Sequence, residues 1–457
     1  MAHRKRKSSQ KPSDLKMLPV IRADAAGIDI GATQIHVAVP ADREQPVRQF
    51  GSFTRDLLAI ADYLQRLGIQ TVAMESTGVY WIPLYELLEN RGLEVVLVNA
   101  RHVKHVPGRK SDVSDAQWLQ YLQAVGLLQG SFRPDEEICA IRSLVRHRAS
   151  LVESSSQCIL QMQKALNQMN LQLHHVISDI TGVSGMRILQ AIVKGERNPE
   201  CLAELCEDGI QATRAVIVQS LEGSYRSELV FILGQHLTRY RDLQKMIGEC
   251  EQEIGQMMEA VPAKVDVAKK PLPPSQKRSR YKANALRSIP DLREKQYRIL
   301  GVDLTQIPGI NTLTVQDVLS EVGPDLSGFR SGSAFSSWMA ICPHNEVSGG
   351  KRLRSRTRKV KSRVARALRM AAQSLEHSQE ALGDFYRRMR AKFGPAKAIT
   401  ATAHKLARII FHMITTGKDY DPSVFAKAQE KHRLYRVKRL QADARRLGFQ
   451  LVPAQAQ

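Results

Sequence analysis

Short apolar runs alternate with amphipathic stretches between residues 20 and 134. The stretch "AGIDIGATQIHVAV" predicts two strands joined by a glycine-containing turn, and "VRQFGSF" predicts a third strand. In "RDLLAIADYLQRLG" the apolar positions 57, 58, 61, 64 and 67 have helical spacing, and Gly68 ends the helix. Further along, "TVAME" and "EVVLVNA" predict strands, whereas "WIPLYELLENRG" and "DAQWLQYLQAVGLL" predict helices. This alternation indicates a mixed α/β domain.

Residues 135–261 are polar and helix-rich, which predicts a helical region after the α/β domain. Apolar residues recur there with the 4-3-4-3 spacing of a short coiled-coil seam, at Leu243, Ile247, Cys250, Ile254 and Met257. An ordinary amphipathic helix gives a similar pattern, so both interpretations stay open. The coiled-coil interpretation would make this a dimerisation region. Residues 262–298 are rich in Pro, Lys and Arg and predict a basic linker.

A second, mainly helical unit is predicted over residues 299–420, and a C-terminal helix and tail over residues 421–457. In "LTQIPGINTLTVQDVLSEVG" a Pro-Gly-Ile turn separates two helical stretches, as in helix-hairpin-helix DNA binders. Gly309 would let a phosphate approach the backbone there, although a plain helix–helix connection explains the turn equally well. Apolar positions 360, 364, 367, 368 and 371 predict that residues 351–370 form a helix with one cationic face.

The 457 residues carry a formal net charge of +22, and 43% of them are hydrophobic. That length and apolar content suffice for two or three folded domains. A positive excess on this scale indicates a polyanionic partner, with nucleic acid as the first candidate. Aromatic residues make up only 5%, which argues against a surface built on aromatic stacking.

The chain has no run of about 18 apolar residues, and none of its six cysteines lies in a C-x-x-C pair. We therefore expect a soluble, cytoplasmic protein without a membrane span or a zinc ribbon. Residues 1–19 predict a basic, disordered arm that contacts phosphates.

Positive charge is densest in "KRLRSRTRKVKSRVARALRM", residues 351–370, which holds ten Lys or Arg and no acid. Ordinary solvated faces mix both signs, so we predict that this stretch binds phosphates. Together with Gly309, the predicted nucleic-acid contacts are Arg109, Lys110, Lys351, Arg352, Arg354, Arg356, Arg358, Lys359, Lys361 and Arg363.

Four carboxylates lie where a metal site would need them. Asp29 is inside the first strand, Glu75 ends a later strand, and Asp112 and Asp115 are three residues apart at the entry to a helix. If the two strands are neighbours, the acids converge as hard oxygen ligands that suit Mg²⁺. Two ions about 4 Å apart would clamp the attacking and leaving oxygens of a phosphodiester. Capping and turn roles are the alternative, but an acid within the apolar "GIDIG" is costly to bury unpaired.

The stretch "GIDIGATQ" also resembles the first phosphate loop of the sugar-kinase and actin-like ATPases. That fold requires a second α/β core with its own phosphate hairpin, and no such repeat is evident after residue 140. The helical and basic remainder of the chain fits DNA better than ATP.

Several segments together closely resemble the DEDD transposases of bacterial insertion sequences, in the insertion-sequence-110 family and its 1111 subgroup. They are "GIDIG", "MESTGVYWIPLYELL", "VNARHVKHVPGRKSDVSDAQWL" and "LTQIPGI" with "ICPHNEVSGGKR". The resemblance implies a RuvC-like domain with an RNase H fold over residues 20–134. Its four metal-binding acids would be Asp29, Glu75, Asp112 and Asp115, with Mg²⁺ as the cofactor.

The resemblance also implies the chemistry of residues 299–420. Ser348 in "VSGGK" matches the catalytic serine of the family, whereas the nearby serines 337, 355 and 362 lack the following Gly-Gly. Ser348 would attack a DNA phosphodiester, form a 5′-phosphoserine link and so permit strand exchange. Family members act on donor and target DNA with a bridge (seeker) RNA, as homo-oligomers (dimers or tetramers) that share sites between protomers. The expected location is the bacterial nucleoid.

Two other functions stay open at this point. A RuvC-like, Mg²⁺-dependent and structure-specific endonuclease would use water as the nucleophile, and Ser348 would then be structural. A non-catalytic nucleic-acid-binding protein would use the four acids only for capping and turns.

Overall fold

A computed structural model describes residues 18–76, 78–99, 115–275, 285–358, 360 and 362–450. The chain divides into two compact units, Met1–Phe132 and Arg133–Gln457. None of the helices within the described ranges is long and apolar enough to cross a membrane. Both the α/β character of the first part and the helical character of the second are confirmed.

The first unit is built on a five-stranded sheet with the order β3-β2-β1-β4-β5. Strands β1, β2 and β3 form an antiparallel meander, while β4 and β5 run parallel to β1. The predicted strands match those of the structure, which are β1 (Ala25–Ile30), β2 (Ile35–Ala38), β3 (Val47–Phe50), β4 (Thr71–Glu75) and β5 (Glu94–Val98).

Helices cover both faces of this sheet. Even-numbered positions of β1 and β4, such as Ile28 and Met74, pack in one core with α1 (Thr54–Arg66) and α2 (Trp81–Asn90). The odd-numbered Ala73 packs on the opposite face with three residues of the helix α3 (Asp115–Ala124), which are Trp118, Leu119 and Leu122. Because side chains alternate along a strand, each core uses one half of the sheet residues.

The second unit begins with two long helices, α4 (Glu136–Gln168) and α9 (Ser227–Ala260), which pack along each other. They run antiparallel, since Gln244 Nε2 donates to Ser155 Oγ at 2.8 Å while Cys250 Sγ lies 3.5 Å from the Leu144 oxygen. One end of the pair shares a hydrophobic core with four short helices. These are α5 (Leu173–Val176), α6 (Val183–Lys194), α7 (Pro199–Ala203) and α8 (Arg214–Ser220).

The predicted seam of α9 faces α4 of the same chain. Leu243, Ile247, Cys250 and Ile254 are buried, and Cys250 touches α4 directly. The next buried position is Met258, whereas the predicted Met257 is half-buried. The seam is therefore used within the chain, and dimerisation of this region stays a prediction that would require another surface.

The segment predicted as a linker, residues 262–298, is packed in its last part, residues 285–298, whereas residues 262–275 include no buried residue. Ile289 is buried and lies next to Gly255 of α9. The Ser288 N–H donates to Glu251 Oε2 at 2.9 Å, and Glu251 also forms a buried ion pair with Arg148 of α4 at 2.6 Å. Pro and Lys disfavour regular structure, but a few apolar and polar anchors are enough to fix such a segment.

The rest of the second unit is helical apart from one β-hairpin. The helices are α10 (Leu292–Leu300), α11 (Thr312–Val322), α12 (Gly332–Trp338), α13 (Arg363–Ser374), α14 (Ala381–Phe393), α15 (Pro395–Thr416) and α16 (Ala426–Arg446). The hairpin consists of β6 (Pro343–Ser348) and β7 (Lys351–Thr357). Within the described residues after Phe132 these are the only strands, so the second α/β core of an actin-like ATPase is not found there.

The prediction of one helix over residues 351–370 was wrong. Its first part is strand β7, and α13 begins only at Arg363. Gly349 and Gly350 have φ angles of +54° and +75°, which is the positive-φ pair of a two-residue hairpin turn. The turn folds "KRLRSRT" back onto β6, and its alternation of basic and other residues suits a strand with period two.

Candidate active site and nucleic-acid interface

Asp29 and Glu75 occupy corresponding positions on neighbouring strands. The parallel pairing of β1 with β4 ends at Ile28↔Met74, and the two acids follow directly at the carboxyl ends. Neighbouring strands lie about 4.8 Å apart, so the two residues are adjacent. Both are half-buried and belong to the odd-numbered positions, which face α3. The two strands are neighbours, which is the condition under which the sequence predicted that their acids converge.

Helix α3 brings Asp115 to the same edge of the sheet. Its last residue, Ala124, accepts hydrogen bonds from the backbone ahead of β1, and Gln120 Nε2 donates to the Ala25 oxygen at 3.2 Å. Its first turn lies over Gly27, because a Cβ there would be 2.2 Å from the Ala116 oxygen. The helix thus runs antiparallel to β1, and Asp115 at its N-terminus lies towards the end where Asp29 is.

Two polar contacts, one of them buried, fix α3 on the sheet. Gln123 is almost fully buried, and its Nε2 donates to Thr71 Oγ1 of β4 at 2.7 Å. Gln120 anchors the same helix to β1. Neither glutamine was singled out in the sequence, because their helical spacing does not distinguish a buried amide from a solvated one.

Oxygen donors of this kind fit a hard cation such as Mg²⁺. Of the four predicted ligands, Asp29 and Glu75 share one edge and one face of the sheet, and Asp115 begins the helix whose N-terminus lies towards that edge. The fourth, Asp112, lies outside the described residues. In the part of the chain that the structure describes, no three His, Cys, Asp or Glu side chains are close enough together to hold a metal ion.

His36 is a residue of this site that the sequence did not single out. It lies on β2 directly opposite Asp29 in the antiparallel register. Directly opposed residues have Cβ atoms about 5 Å apart and share a face, so His36 belongs to the face of the acids. Only the pairing register of β1 with β2 reveals this neighbour.

Ser348 is the last residue of β6 and lies beside the hairpin turn. It pairs with Lys351 across the Gly349-Gly350 turn, and both residues are exposed. The two glycines have open space around them, so a bulky ligand can approach the tip of the hairpin. A serine hydroxyl there is accessible to a DNA phosphate.

One β-bulge interrupts the hairpin. Glu346 pairs with Arg354, whereas the next residue, Val347, pairs with Arg352. Leu353 is therefore the extra residue on β7. Such a bulge resets which side chains of the bulged strand share a face with the partner strand.

The bulge places basic side chains on the face of the serine. Paired residues in an antiparallel ladder point to the same side, so Ser348 shares its face with Lys351, Arg354 and Arg356. Glu346 lies on this face too, and its Oε1 is 3.7 Å from Arg354 Nη1. A nucleic-acid strand laid along this face would meet three cations and one acid.

The remaining predicted basic contacts have other positions. Arg358 hydrogen-bonds to the Ser337 carbonyl oxygen, which ties the end of β7 to α12. Arg363 lies 3.9 Å from Glu321 Oε1, in a network that Arg146 dominates with two hydrogen bonds. Arg109, Lys110, Lys359 and Lys361 lie outside the described residues, as does the side chain of Arg352.

Gly309 is needed for packing inside the protein. Its φ is +83°, and a Cβ there would lie 2.7 Å from the Ala371 carbonyl oxygen of α13. The neighbouring Ile310 N–H donates to the Ile307 oxygen at 3.1 Å. The helix–helix connection therefore explains this glycine, and a phosphate contact at Gly309 stays a prediction.

Comparison with known proteins gives two family matches. Residues 26–171 match the DEDD transposase model of IS110 elements, and residues 303–387 match the model described as "Transposase IS116/IS110/IS902 family". Together the two matches cover about half of the chain. The chain is also 30% identical over 147 residues to "Putative transposase y4pF/y4sB" of Sinorhizobium fredii. That match covers 29% of this chain and spans 37% of the length of the relative.

Proposed function

Since this chain belongs to the IS116/IS110/IS902 family of transposases, we propose that it cuts and rejoins DNA to excise and insert a mobile element. The observation that carries this proposal is that Asp29 and Glu75 lie side by side at the carboxyl ends of β1 and β4, with the N-terminus of α3 towards the same end. A scaffold that only bound nucleic acid would have no reason to place two acids side by side where a polyanion must approach.

The first unit would act as a RuvC-like domain that holds two Mg²⁺ ions. Asp29, Glu75 and Asp115 would supply carboxylate oxygens, and Asp112 would complete the set. When bound, the metal supplies Lewis-acid stabilisation of the phosphodiester oxygens. The protein itself fixes the acids through rigid elements, because β1, β4 and α3 are held together by buried packing and by Gln123.

Ser348 would be the nucleophile of the second unit. Its Oγ would form a bond to the phosphorus and lose its proton to solvent, while the bond from phosphorus to the 3′ oxygen breaks and that oxygen takes up a proton, so that a free 3′ hydroxyl results. The link is a 5′-phosphoserine ester, and a second 3′ hydroxyl can displace the serine to rejoin the strands. Lys351, Arg354 and Arg356 support this assignment, because they share the face of Ser348 and neutralise backbone phosphates.

The proposal includes a guide RNA and assembly into a homo-oligomer at the nucleoid. The net charge of +22 supports binding of polyanions, a class that includes both DNA and RNA. Guide and DNA would pair with each other, and the protein would hold both backbones. Both the guide RNA and the homo-oligomer are what the resemblance to this family implies.

A trapped protein–DNA adduct tests the serine. We expect the wild-type protein to form a covalent adduct with target DNA, and Ser348→Ala to lose the adduct while still binding DNA. The matched control is Ser355→Ala, because Ser355 lies in the same hairpin on the opposite face. It should keep the adduct.

The same assay separates the alternatives. Free 5′-phosphate ends without an adduct would favour a RuvC-like endonuclease that uses water, and would overturn the role of Ser348. Asp29→Asn should abolish cleavage under either nuclease. Unchanged transposition with Asp29→Asn would favour a non-catalytic nucleic-acid-binding protein.

A further inference from the structure

A large cavity lies in the second unit, between α14, α15, the segment 418–425 and the base of the β6–β7 hairpin. Its volume is about 1500 Å³, and its wall includes Arg356 and Thr357 from the hairpin. Pockets for drug-sized ligands have volumes of about 300–1,000 Å³, so this cavity is larger than such a pocket. The nucleophile and metal assignments leave it unused.

The charge of the cavity indicates an anionic occupant. Five Lys or Arg side chains line it against two Asp, and the cations are Arg356, Lys397, Lys405, Arg408 and Lys418. Three of them, with His404 and His412, belong to one face of α15, whose opposite face is packed in the core through residues such as Leu406 and Ile410. Residues 397–412 extend about 22 Å along the helix axis, so the positive charge forms a line rather than a point.

The cavity also presents aromatic rings. Phe385, Phe393, Tyr420 and Phe425 line it, although aromatic residues are scarce in the whole chain. Lys405 Nζ lies 4.4 Å from the ring centroid of Phe385 and 4.5 Å from that of Phe425, which orders both rings. Phe393 is 46% exposed, with Lys392 Nζ 5.1 Å from its ring centroid, so a base can reach the ring from solvent.

The titrating groups of the cavity favour the same chemistry. Burial and the nearby Arg408 lower the pKa of His404, so at neutral pH this imidazole adds no positive charge to that of the Lys and Arg side chains. Burial, with Glu380 and Asp421, raises the pKa of Tyr420 to about 12, so its hydroxyl remains a hydrogen-bond donor. A strand with unpaired bases requires aromatic rings for stacking, hydrogen-bond donors and a line of cations.

We propose that this cavity binds unpaired nucleotides of a nucleic-acid strand that continues along the hairpin to Ser348. The inference rests on the proposed function only for the direction of that strand. From Arg356 to Lys351 the hairpin extends about 17 Å. At 3.4 Å per stacked nucleotide this separates the cavity from the reacting phosphate by about five nucleotides.

The test uses the full-length protein and short oligonucleotides that carry 2-aminopurine at successive positions. Three probes have one sequence: single-stranded DNA, single-stranded RNA and duplex DNA. We expect quenching of 2-aminopurine in a single strand, because base stacking on aromatic rings quenches it. We expect Phe393→Ala and Lys397→Gln each to weaken single-strand binding roughly tenfold.

Matched controls are available on another part of the unit. Phe231 and Lys245 lie exposed on α9 and do not line the cavity. Phe231→Ala and Lys245→Gln should bind as the wild type does. Tighter binding of either single strand than of duplex DNA supports the proposal. The difference in affinity between single-stranded DNA and single-stranded RNA identifies which strand enters the cavity.

Three results would overturn it: duplex binding as tight as single-strand binding, equal affinity of the cavity and control variants, or a changed oligomeric state in the cavity variants alone. A changed oligomeric state would mean that the cavity contacts a second copy of the chain instead of a nucleic acid. Failure of the cavity proposal is distinct from failure of the proposed function. A wild-type adduct at Ser348 without quenching refutes only the cavity, whereas quenching without any adduct refutes only the serine mechanism.

Discussion

The close approach between α3 and the sheet at Gly27 offers a direct test of how the acids are positioned. A Cβ on residue 27 would lie 2.2 Å from both the Ala116 oxygen and the Gln120 nitrogen, whereas ordinary contacts begin at 3.4 Å. Both obstructing atoms are backbone, so they cannot rotate away, and α3 must move by about 1 Å. We expect Gly27→Ala to lower the free energy of unfolding by about 1–3 kcal/mol.

The same movement displaces Asp115 from Asp29, because Asp115 begins the helix that must shift. An error of about 1 Å in a catalytic group can cost about 100-fold in rate, so we expect Gly27→Ala to lose about that much DNA cleavage. The rate is measured at a temperature where thermal unfolding shows the variant to be folded. A wild-type rate there would refute the idea that α3 positions a catalytic acid.

The matched control for this experiment is Gly130→Ala. Gly130 belongs to the same unit, and its Cβ would meet only Val96 Cγ1 at 3.6 Å, which is an ordinary contact. We expect this variant to cleave and unfold as the wild type does. Equal losses in both variants would mean that the unit responds to any added methyl group.

Three further predictions follow from the second unit. Glu251→Gln leaves the buried Arg148 without its charge partner and should lower the free energy of unfolding by about 3–5 kcal/mol in chemical denaturation; an unchanged value would contradict this. Burial raises the pKa of Asp317 to about 6, so the folded state binds this proton more tightly and its stability should fall as the pH rises from about 4 to about 6. Asp317→Asn should flatten that fall, and a wild-type profile would count against it. Deletion of Leu353 removes only the bulge and should preserve the Ser348 adduct. Deletion of Val347 turns Ser348 away from Arg354 and Arg356 and should abolish the adduct. An adduct that is lost without Leu353 but kept without Val347 would refute the assignment of these residues to one face.

The first unit was predictable because its sequence patterns do not overlap. Strands β1 and β4 are short apolar runs, and α1 has a clear helical period, so element type followed from spacing. Asp29 could be singled out because an acid within an apolar strand is costly to bury. The position of His36 opposite Asp29 could not be predicted, because strand register depends on tertiary pairing.

The second unit was less predictable where local signals conflict. Arg and Lys are good helix formers, and the apolar residues from position 360 onwards have helical spacing. These two signals predicted a helix that includes "KRLRSRT", although α13 begins only at Arg363. The two glycines before this stretch determine the actual result. Positive φ at both favours a hairpin turn, and a hairpin must have a second strand.

The bulge at Leu353 shows why the face of a nucleophile cannot be taken from alternation alone. In a regular strand that begins at Lys351, Leu353 and Ser355 would share the face of Ser348, and the arginines would lie on the other face. One extra residue reverses this, so that Arg354 and Arg356 join the serine. The cations that the sequence assigned to a helical face thereby reach the serine from a strand. A charge-dense tract therefore predicts the partner correctly even when its secondary structure is mispredicted, because phosphate binding needs exposed cations on one side and both structures provide it.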